Sequence, residues 1–269
     1  MQNTIRQMGL RIAAVGLIGL LLGAIGSGQN GSADVDDESD MPDAEFQIAR
    51  LKYATNARAG SRGISQPIWA VDYPLADEHF FDALRRLTRI ETAEDSRHLE
   101  ATDDRIFQYP FLWMQQPGRG YWTPTAAEVR NLRKYFDRGG FLIVDDFHGE
   151  QDWAIFESSM EEVFPDRPIV DIPDDDPLMH IFFDLDRRLP VPGHRHLYID
   201  GNGQTQVQME GPPTWRGIYD EKGRLQVVAL FNMDMGDAWE HADDPTYPAP
   251  MTLDAYRLGV NLVLHAMTH

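Results

Sequence analysis

The stretch GGFLIVDDFHG, residues 139–149, decides the fold class of this chain. Two glycines are typical of the end of a helix, and they precede the continuous apolar run 141–144. A run that does not alternate with polar residues indicates a strand buried on both faces, as in a parallel sheet. Asp145, Asp146 and His148 follow this run, so the pattern places polar side chains at the carboxyl end of a buried strand.

Helical and strand-like segments alternate on both sides of this run. The apolar spacing predicts strands over 46–53, 110–114 and 168–172, a hairpin over 215–231, and helices that start near residues 77, 123, 152 and 252. This alternation predicts an α/β fold, a mainly parallel sheet with helices on both faces. Residues 174–214 are rich in Pro and His, and we interpret them as an irregular insertion in a single α/β domain over 46–269.

Composition excludes several classes of function. The chain has 269 residues, with 24 Lys and Arg, 43 Asp and Glu, and no cysteine. Its formal charge of −19 repels nucleic acid and anionic lipid, so we expect neither as a partner. Because cysteine is absent, thiol catalysis, cysteine-ligated zinc, iron–sulfur clusters and disulfides are excluded.

The N-terminus has the pattern of an export signal. Arg6 and Arg11 precede the uncharged run 12–26, and a small, polar stretch follows. This pattern predicts a signal peptide over 1–33. The alternative is an uncleaved membrane anchor, although fifteen helical residues span only about 22 Å of a hydrocarbon core of about 30 Å. We expect the remainder to be exported, either periplasmic or anchored at the inner membrane and facing the periplasm, with membrane contact only through an uncleaved N-terminus.

An acidic segment follows this predicted signal. Residues 34–45 hold seven carboxylates in twelve positions and no basic side chain. Self-repulsion keeps such a segment extended, so we interpret it as an acidic linker, with calcium binding as the alternative.

Seven short motifs stand in the order found in a known family. They are Ala49–Arg50–Leu51–Lys52–Tyr53, Tyr73–Pro74, Gly139–Gly140–Phe141–Leu142, Asp145–Asp146, Gly223–Arg224–Leu225, Gly236–Asp237–Ala238–Trp239–Glu240 and Gly259–Val260–Asn261. Through them the chain resembles the bacterial family named domain of unknown function 4159, over essentially all of residues 46–269. The resemblance implies a flavodoxin-like architecture of the class I glutamine-amidotransferase type. It also implies an envelope protein partner, of the MoxR-type ATPase or von Willebrand type A kind, and no established activity.

The wider architecture suggests one catalytic test. Glutamine amidotransferases carry a nucleophilic cysteine on the turn after a central strand, and the corresponding turn here reads DDFHG, residues 145–149. Amidotransferase chemistry is therefore excluded. The chain also has no serine in a G-x-S-x-G frame, no G-x-x-x-x-G-K-[ST] phosphate loop and no H-E-x-x-H motif. These absences favour a protein that is not an enzyme.

The first candidate site is formed by Asp145, Asp146 and His148 at the strand end. Ligands of open α/β sheets bind outside the carboxyl ends of the strands. Two carboxylates and an imidazole can hold a divalent metal or act as general acid and base, whereas the alternative is that the aspartates form turn contacts and the histidine packs. Adjacent strand residues point to opposite faces, so we expect no more than one of the two aspartates in a given pocket.

The second candidate is the acidic segment 232–244, which follows an apolar run and is interpreted as a loop at another strand end. Asp234 and Asp237 are candidate ligands for a divalent metal, although the spacing of an EF-hand is broken. Asp237 and Glu240 are candidate bases, and Trp239 is a candidate for stacking a ligand. The alternative is an acidic surface loop whose side chains form local turn bonds.

Three histidines and an arginine complete the candidates. His194 and His196 form an H-x-H pair that would share one face of a strand, as zinc ligands do, but no third ligand is evident. Surface positions are the favoured interpretation for this pair and for His180. Arg216 is a candidate for binding a carboxylate or phosphate, with a structural ion pair as the alternative.

These observations favour a non-catalytic ligand-binding or assembly component of a bacterial cell-envelope system. The alternative is a metal-dependent hydrolase acting on an envelope carbohydrate or peptide. In that hypothesis Asp145 or Asp146 binds the metal together with His148. Asp237 or Glu240 is the base, and Trp239 stacks the substrate. A pocket that unites the two acidic segments would favour the hydrolase. A third hypothesis is a scaffold that recruits a membrane partner.

Overall fold

The computed structural model describes residues 44–55, 67–188 and 190–269. The predicted signal peptide or anchor, and the predicted linker except its last two residues, lie outside these ranges. Among the residues described, no helix combines the length and the apolar character needed to cross a membrane.

Seven strands of the described chain form one mainly parallel sheet. In chain order they are β1 (Ala49–Lys52), β2 (Arg97–Glu100), β3 (Phe111–Gln115), β4 (Phe141–Phe147), β5 (Val170–Asp171), β8 (Thr214–Tyr219) and β9 (Leu225–Phe231), while β6 (Leu197–Ile199) and β7 (Thr205–Val207) form a separate antiparallel pair. The spatial order is β2-β1-β3-β4-β9-β8-β5. The first five strands are parallel, and the pairs β9–β8 and β8–β5 are antiparallel.

Helices cover both faces of the sheet. They are α1 (Leu75–Thr88), α2 (Pro117–Gly120), α3 (Ala126–Asp137), α4 (Gly149–Val163), α5 (Met235–Glu240) and α6 (Ala249–Thr268). Side chains of α1, α5 and α6 share one core with Trp113 and Ile143, and side chains of α3 and α4 share the other with Leu112 and Val144. Alternate residues of β3 and β4 thus enter opposite cores, as expected for strands buried on both faces. The predicted α/β class is confirmed.

Several boundaries differ from those that the sequence predicts. Helix α3 begins after Thr125, not near residue 123, because the Thr125 hydroxyl accepts the N–H of Glu128 and the Glu128 carboxylate accepts the N–H of Thr125. The acidic segment interpreted as a loop contains α5, which the Asp234 side chain caps. The predicted insertion contains short 3-10 turns and the β6–β7 pair.

Strand β4 is longer than its apolar run and is irregular where the two aspartates stand. Its pairing with β9 shifts register between Val144 and Phe147, and Asp146 has a φ of 53°. An irregularity of this kind changes the direction of a side chain. Asp145 and Asp146 are therefore strand residues, not residues of the turn after it, and β4 delivers them to different surroundings.

Candidate functional site

Backbone strain is concentrated at the carboxyl edge of the parallel strands. Asp72, Gln116, Asp146 and Asn232 all have positive φ, between 50° and 66°. Residues other than glycine rarely adopt this conformation, which persists where the surrounding structure enforces it. Gln116 and Asn232 directly follow β3 and β9, so the strain falls where ligands of open α/β sheets bind.

Four carboxylates converge on one cavity at this edge, hereafter the acidic cavity. It has a volume of about 210 Å³ and is lined by Val71, Asp72, Gln116, Arg119, Asp146, Arg195, Asp234 and Asp237. That volume is below the roughly 300–1,000 Å³ of pockets for drug-sized ligands, so it suits an ion or a small polar group.

Asp145 fastens β4 to α5 and does not line the acidic cavity. Its Oδ2 accepts the backbone N–H groups of Met235 at 2.8 Å and Gly236 at 3.0 Å. Burial, reinforced by the charge of the adjacent Asp146, raises the pKa of Asp145 to about 8. This contact joins the two acidic segments that the sequence singled out. Only Asp146 of the adjacent pair enters the cavity, as their opposite orientation in a strand predicts.

Asp72 reaches the acidic cavity from the segment that follows β1. Its Oδ2 accepts a hydrogen bond from Gln115 Nε2 at 2.6 Å. Residue 236 is glycine where α5 approaches, because a Cβ there would overlap this same Oδ2. Burial, followed by the charges of Asp237 and Asp146, raises the pKa of Asp72 well above its ordinary value. The ionised form of Asp72 therefore needs a compensating positive charge.

Asp234 and Asp237 enter the cavity from the first turn of α5. Asp234 Oδ1 accepts the N–H of Asp237 at 2.9 Å, and Asp237 Oδ2 accepts the N–H of His194 at 2.7 Å. Burial, followed by the charges of Asp146 and Asp237, raises the pKa of Asp234 well above its ordinary value. One oxygen each from Asp72, Asp234 and Asp237 lie within 4.8 Å of one another. These three carboxylates can therefore share one cation.

Uncompensated polar atoms other than carboxylates also face this edge. Gln116 donates its Nε2 to Asp146, while its buried Oε1 has no hydrogen-bond partner among the described residues. Arg119 lines the cavity wall, and its buried Nε is likewise without a partner in the described part of the chain. Arg195 also lines the cavity, and its Nη2 lies 3.6 Å from Glu210 Oε1. The site thus offers oxygens to a cation and guanidinium groups to an anion.

His148 lies behind Asp146 and next to a histidine of the insertion. Its Nε2 is 3.0 Å from Asp146 Oδ1, and its ring centroid is 4.7 Å from that of His196. Burial, with the nearby His148 as a further cause, lowers the pKa of His196. The insertion therefore contributes directly to this edge of the sheet.

Two predicted ligand-binding residues are not placed for that role. Trp239 is only 2% exposed, and its ring stacks on Phe80 with centroids 4.1 Å apart. The expectation that it stacks a ligand is corrected, because α5 turns this ring into the core. Arg216 pairs with Asp171 at 3.1 Å and lies 4.2 Å over the ring of Trp153, away from the cavity.

The other sequence candidates also lie outside the acidic cavity. Glu240 Oε2 is 3.7 Å from His241 Nε2 and does not line the cavity. His180 is exposed, with Nδ1 3.1 Å from Asp184 Oδ1. The predicted H-x-H pair stands on a 3-10 turn instead of a strand, so its two rings do not share a strand face.

Sequence reasoning missed four polar residues of the cavity: Asp72, Gln116, Arg119 and Arg195. Gln116 and Arg119 stand directly after the strand predicted over 110–114, so the rule that ligands bind at carboxyl ends of strands would have pointed to them. Asp72 precedes the Tyr73–Pro74 motif, which indicates the family and gives no sign of a binding site. Its distance from the other acidic segments along the chain hides its role.

Comparison with known proteins identifies a family and no characterised relative. No curated protein matches this chain. A family model described as Domain of unknown function (DUF4159) matches residues 47–267, which include every residue of the acidic cavity. The chain therefore belongs to the DUF4159 family.

Proposed function

We propose that this domain is a divalent-cation-dependent hydrolase centred on the acidic cavity. One observation supports this proposal above all: the lining of the cavity has four carboxylates and only two basic side chains. Asp72, Asp146 and Asp234 are each no more than 3% exposed. Buried carboxylates that face one another are unfavourable unless a cation compensates them. The non-catalytic component favoured by sequence remains the alternative.

We assign Asp72, Asp234 and Asp237 as ligands of the cation, with Gln116 Oε1 as a further oxygen. The mutual proximity of the three carboxylates and the unpartnered Gln116 Oε1 support this set. Carboxylate and amide oxygens suit Mg²⁺, Mn²⁺ and Ca²⁺. The lining of the cavity contains no histidine, although His148 lies behind it with a ring nitrogen within 4.8 Å of an oxygen of Asp146 and of Asp234.

The remaining groups suit hydrolysis of a phosphoester. Arg119 and Arg195 line the cavity and would bind the phosphate, since guanidinium matches phosphate geometry. Asp146 would accept a proton from the attacking water as the water oxygen bonds to phosphorus. The bond from phosphorus to the leaving oxygen would break, and solvent water would protonate that oxygen. A bound cation would lower the pKa of that water and offset charge on the phosphoryl oxygens. The carbohydrate and peptide substrates suggested by sequence are alternative outcomes of the test below.

The architecture and cellular setting complete the proposal. The parallel order β2-β1-β3-β4-β9 supports a flavodoxin-like core, to which the antiparallel strands β8 and β5 are added at one edge. Export to the periplasm and an envelope protein partner are supported by the N-terminal sequence and by the family resemblance. Both are predictions.

Thermal unfolding of the full-length chain in EDTA, and then with Mg²⁺, Mn²⁺ or Ca²⁺, tests the cation site. Binding at 100 times Kd should stabilise the fold by about 2.7 kcal/mol, a shift of a few degrees. Asp72→Asn should remove the shift, because it removes a ligand charge while asparagine tolerates the left-handed backbone. Asp220→Asn changes a residue near the amino ends of the parallel strands, away from the acidic cavity, and should leave the shift intact.

Turnover is then measured on a phosphomonoester, a carboxylic ester, a glycoside and a peptide with the cation present. We expect phosphomonoester hydrolysis that Asp146→Asn abolishes without removing the cation shift, and that Arg119→Met weakens mainly through KM. Absence of a shift with every cation would overturn the proposal. A shift without hydrolysis of any substrate would instead return the domain to the non-catalytic class.

A further inference from the structure

A second group of potential metal ligands lies beside the acidic cavity. His148 stands at the N-terminus of α4, and His196 and Glu210 come from the insertion. The two imidazoles are almost fully buried, with side chains 3% and 6% exposed, whereas Glu210 is 43% exposed. Three separate segments of the chain therefore bring ligand-type side chains together, and none of the three residues lines the acidic cavity.

The hydrogen bonds of the two imidazoles leave nitrogen atoms without partners. His148 Nε2 lies 3.0 Å from Asp146 Oδ1, so the carboxylate favours the tautomer in which Nε2 carries the proton. The buried Nδ1 then presents a lone pair, has no hydrogen-bond partner in the described chain, and is 3.6 Å from Glu210 Oε2. A lone pair and a carboxylate oxygen are both acceptors, so they repel unless something positive lies between them.

His196 repeats this arrangement. Its buried Nδ1 has no hydrogen-bond partner among the described residues. Its Nε2 lies 2.7 Å from Glu210 Oε2, which is its one close polar contact with a side chain in the described part of the chain. Buried polar atoms are almost always satisfied in folded proteins, and two neighbouring imidazoles that each keep an unpartnered nitrogen point to a missing ligand.

We infer that His148, His196 and Glu210 bind a transition metal ion, with Zn²⁺ as the best candidate. Two imidazoles and one carboxylate form a ligand set that zinc accepts. One atom from each residue lie within 4.8 Å of one another. Tetrahedral zinc with bonds of about 2.0–2.1 Å separates its ligand atoms by about 3.3 Å, so small side-chain movements would bring these atoms to the spacing of a bound ion. Asp146 provides the carboxylate that commonly orients a metal-bound histidine.

The geometry leaves the fourth position of this metal open. His196 and Glu210 also line a cavity of about 470 Å³, together with Arg195, Leu197, Tyr198, Gln208 and Met209. Water or a small ligand can therefore reach the metal from this side. Three protein ligands and an accessible fourth position are the arrangement of catalytic zinc sites, not of closed structural ones.

Zinc titration of the tag-free, full-length chain in saturating Mg²⁺ tests this inference by calorimetry. We expect one Zn²⁺ per chain. His196→Gln and Glu210→Gln should each weaken binding by about 100-fold or more, since even loss of an outer-shell partner weakens metal binding about 10–100-fold. Because the Glu210 side chain is half-exposed, the Glu210→Gln variant should retain the wild-type melting temperature in EDTA. Substitution by Co²⁺ should give the intense visible absorption of a four-coordinate ion.

Matched controls separate this site from other histidines and from the acidic cavity. His241→Gln disrupts the more exposed group of His194, His241 and Asp244, and it should not change zinc affinity. Asp72→Asn should remove the Mg²⁺ response and leave zinc binding unchanged, so the two proposals can fail separately. The inference is overturned if the wild type binds no zinc, if binding survives both His196→Gln and Glu210→Gln, or if His241→Gln abolishes it.

Discussion

The two ends of the parallel strands, the amino edge and the carboxyl edge, differ in how well positive and negative side chains are paired. At the amino ends of β4 and β9 lies a cavity of about 610 Å³, whose lining includes three acidic and four basic side chains. Arg224 Nε pairs there with Asp220 Oδ2 at 3.1 Å, and Arg167 donates to Gln226 Oε1 at 2.7 Å. At the carboxyl ends, the acidic cavity is one third of that volume and has four acidic and two basic side chains.

This difference shows that volume is a poor guide to function in this protein. The lining of the larger cavity has nearly equal numbers of acidic and basic side chains, and its Arg224 and Asp220 pair with each other. In the smaller cavity the Gln116 Oε1 and the Arg119 Nε have no partner among the described residues, and four carboxylates face only two basic side chains. Strained backbone at Asp72 and Asp146 falls on the same side. Unsatisfied groups and strain together, not size, distinguish a binding site from a surface depression.

The largest expected effect concerns a buried ion pair, in which each charge has a partner of opposite sign. It is compared with the carboxylates of the acidic cavity, which outnumber their basic partners. Arg50 is 2% exposed, and it donates to Asp77 through Nε at 2.9 Å and Nη2 at 2.5 Å. Asp77→Ala leaves this guanidinium buried without its partner, so we expect a loss of about 3–5 kcal/mol in the free energy of unfolding. Urea denaturation measures it.

The same helix provides the control for this prediction. Asp82 pairs with Arg85 on the surface of α1, where both side chains are at least 40% exposed. Asp82→Ala should cost about 1 kcal/mol or less, because water screens exposed pairs. Equal losses in the two variants would show that burial does not decide the value of an ion pair here.

The next prediction compares an Asp→Asn substitution at each edge. We expect the two substitutions to change the free energy of unfolding in opposite directions. In EDTA, Asp234→Asn should raise the free energy of unfolding by about 1 kcal/mol. Unit charges 4.8 Å apart repel by about 3.5 kcal/mol at an effective dielectric constant of 20, and protonation already relieves part of that repulsion. Asparagine still caps α5. Paired urea titrations of the wild type and the variant check the sign.

At the amino edge, Asp220→Asn should destabilise instead. Asp220 accepts the N–H groups of Lys222 at 2.9 Å and Arg224 at 2.8 Å, and these bonds keep its pKa low despite burial. Loss of its charge weakens the pair with Arg224 and should cost about 0.5–1 kcal/mol. If Asp234→Asn also destabilises the chelated protein, the acidic cavity is not under charge repulsion.

The contrast between the edges also explains what the sequence could predict. Strands β3, β4 and β9 were predictable because their burial imposes a continuous apolar pattern on consecutive residues. Asp146 and Asp234 were predictable as candidates because each stands at or near the carboxyl end of such a strand. Both inferences rest on local pattern.

The rest depends on contacts between distant segments. Asp72 meets Asp234 only because the segment after β1 and the start of α5 reach the same edge, which no local pattern specifies. Glu210 comes from an insertion without a regular pattern. Trp239 was misassigned for a related reason. The Asp234 cap begins a helix, and helical geometry then turns the aromatic ring onto Phe80.

The smallest effect concerns a buried titratable group near the amino edge. His265 on α6 is 4% exposed, and its ring packs 4.9 Å from that of Phe141. Burial lowers its pKa; among nearby charges, His269 and Arg224 oppose the imidazolium and Asp176 favours it. The unfolded chain therefore binds a proton at higher pH than the folded chain, and stability should fall as the pH drops below about 6.5, the unfolded value.

His265→Phe keeps a ring in this position and removes the titration. The free energy of unfolding is measured in urea at pH 7.5 and 5.5, in EDTA, for both proteins. Carboxylates of the acidic cavity titrate equally in the two, so they cancel in the difference. The wild type should lose more stability than the variant between these pH values. Identical losses would mean that the amino edge accommodates the charged imidazolium. The two edges would then differ only in the sign of their charge, and charges at both edges would be equally well compensated.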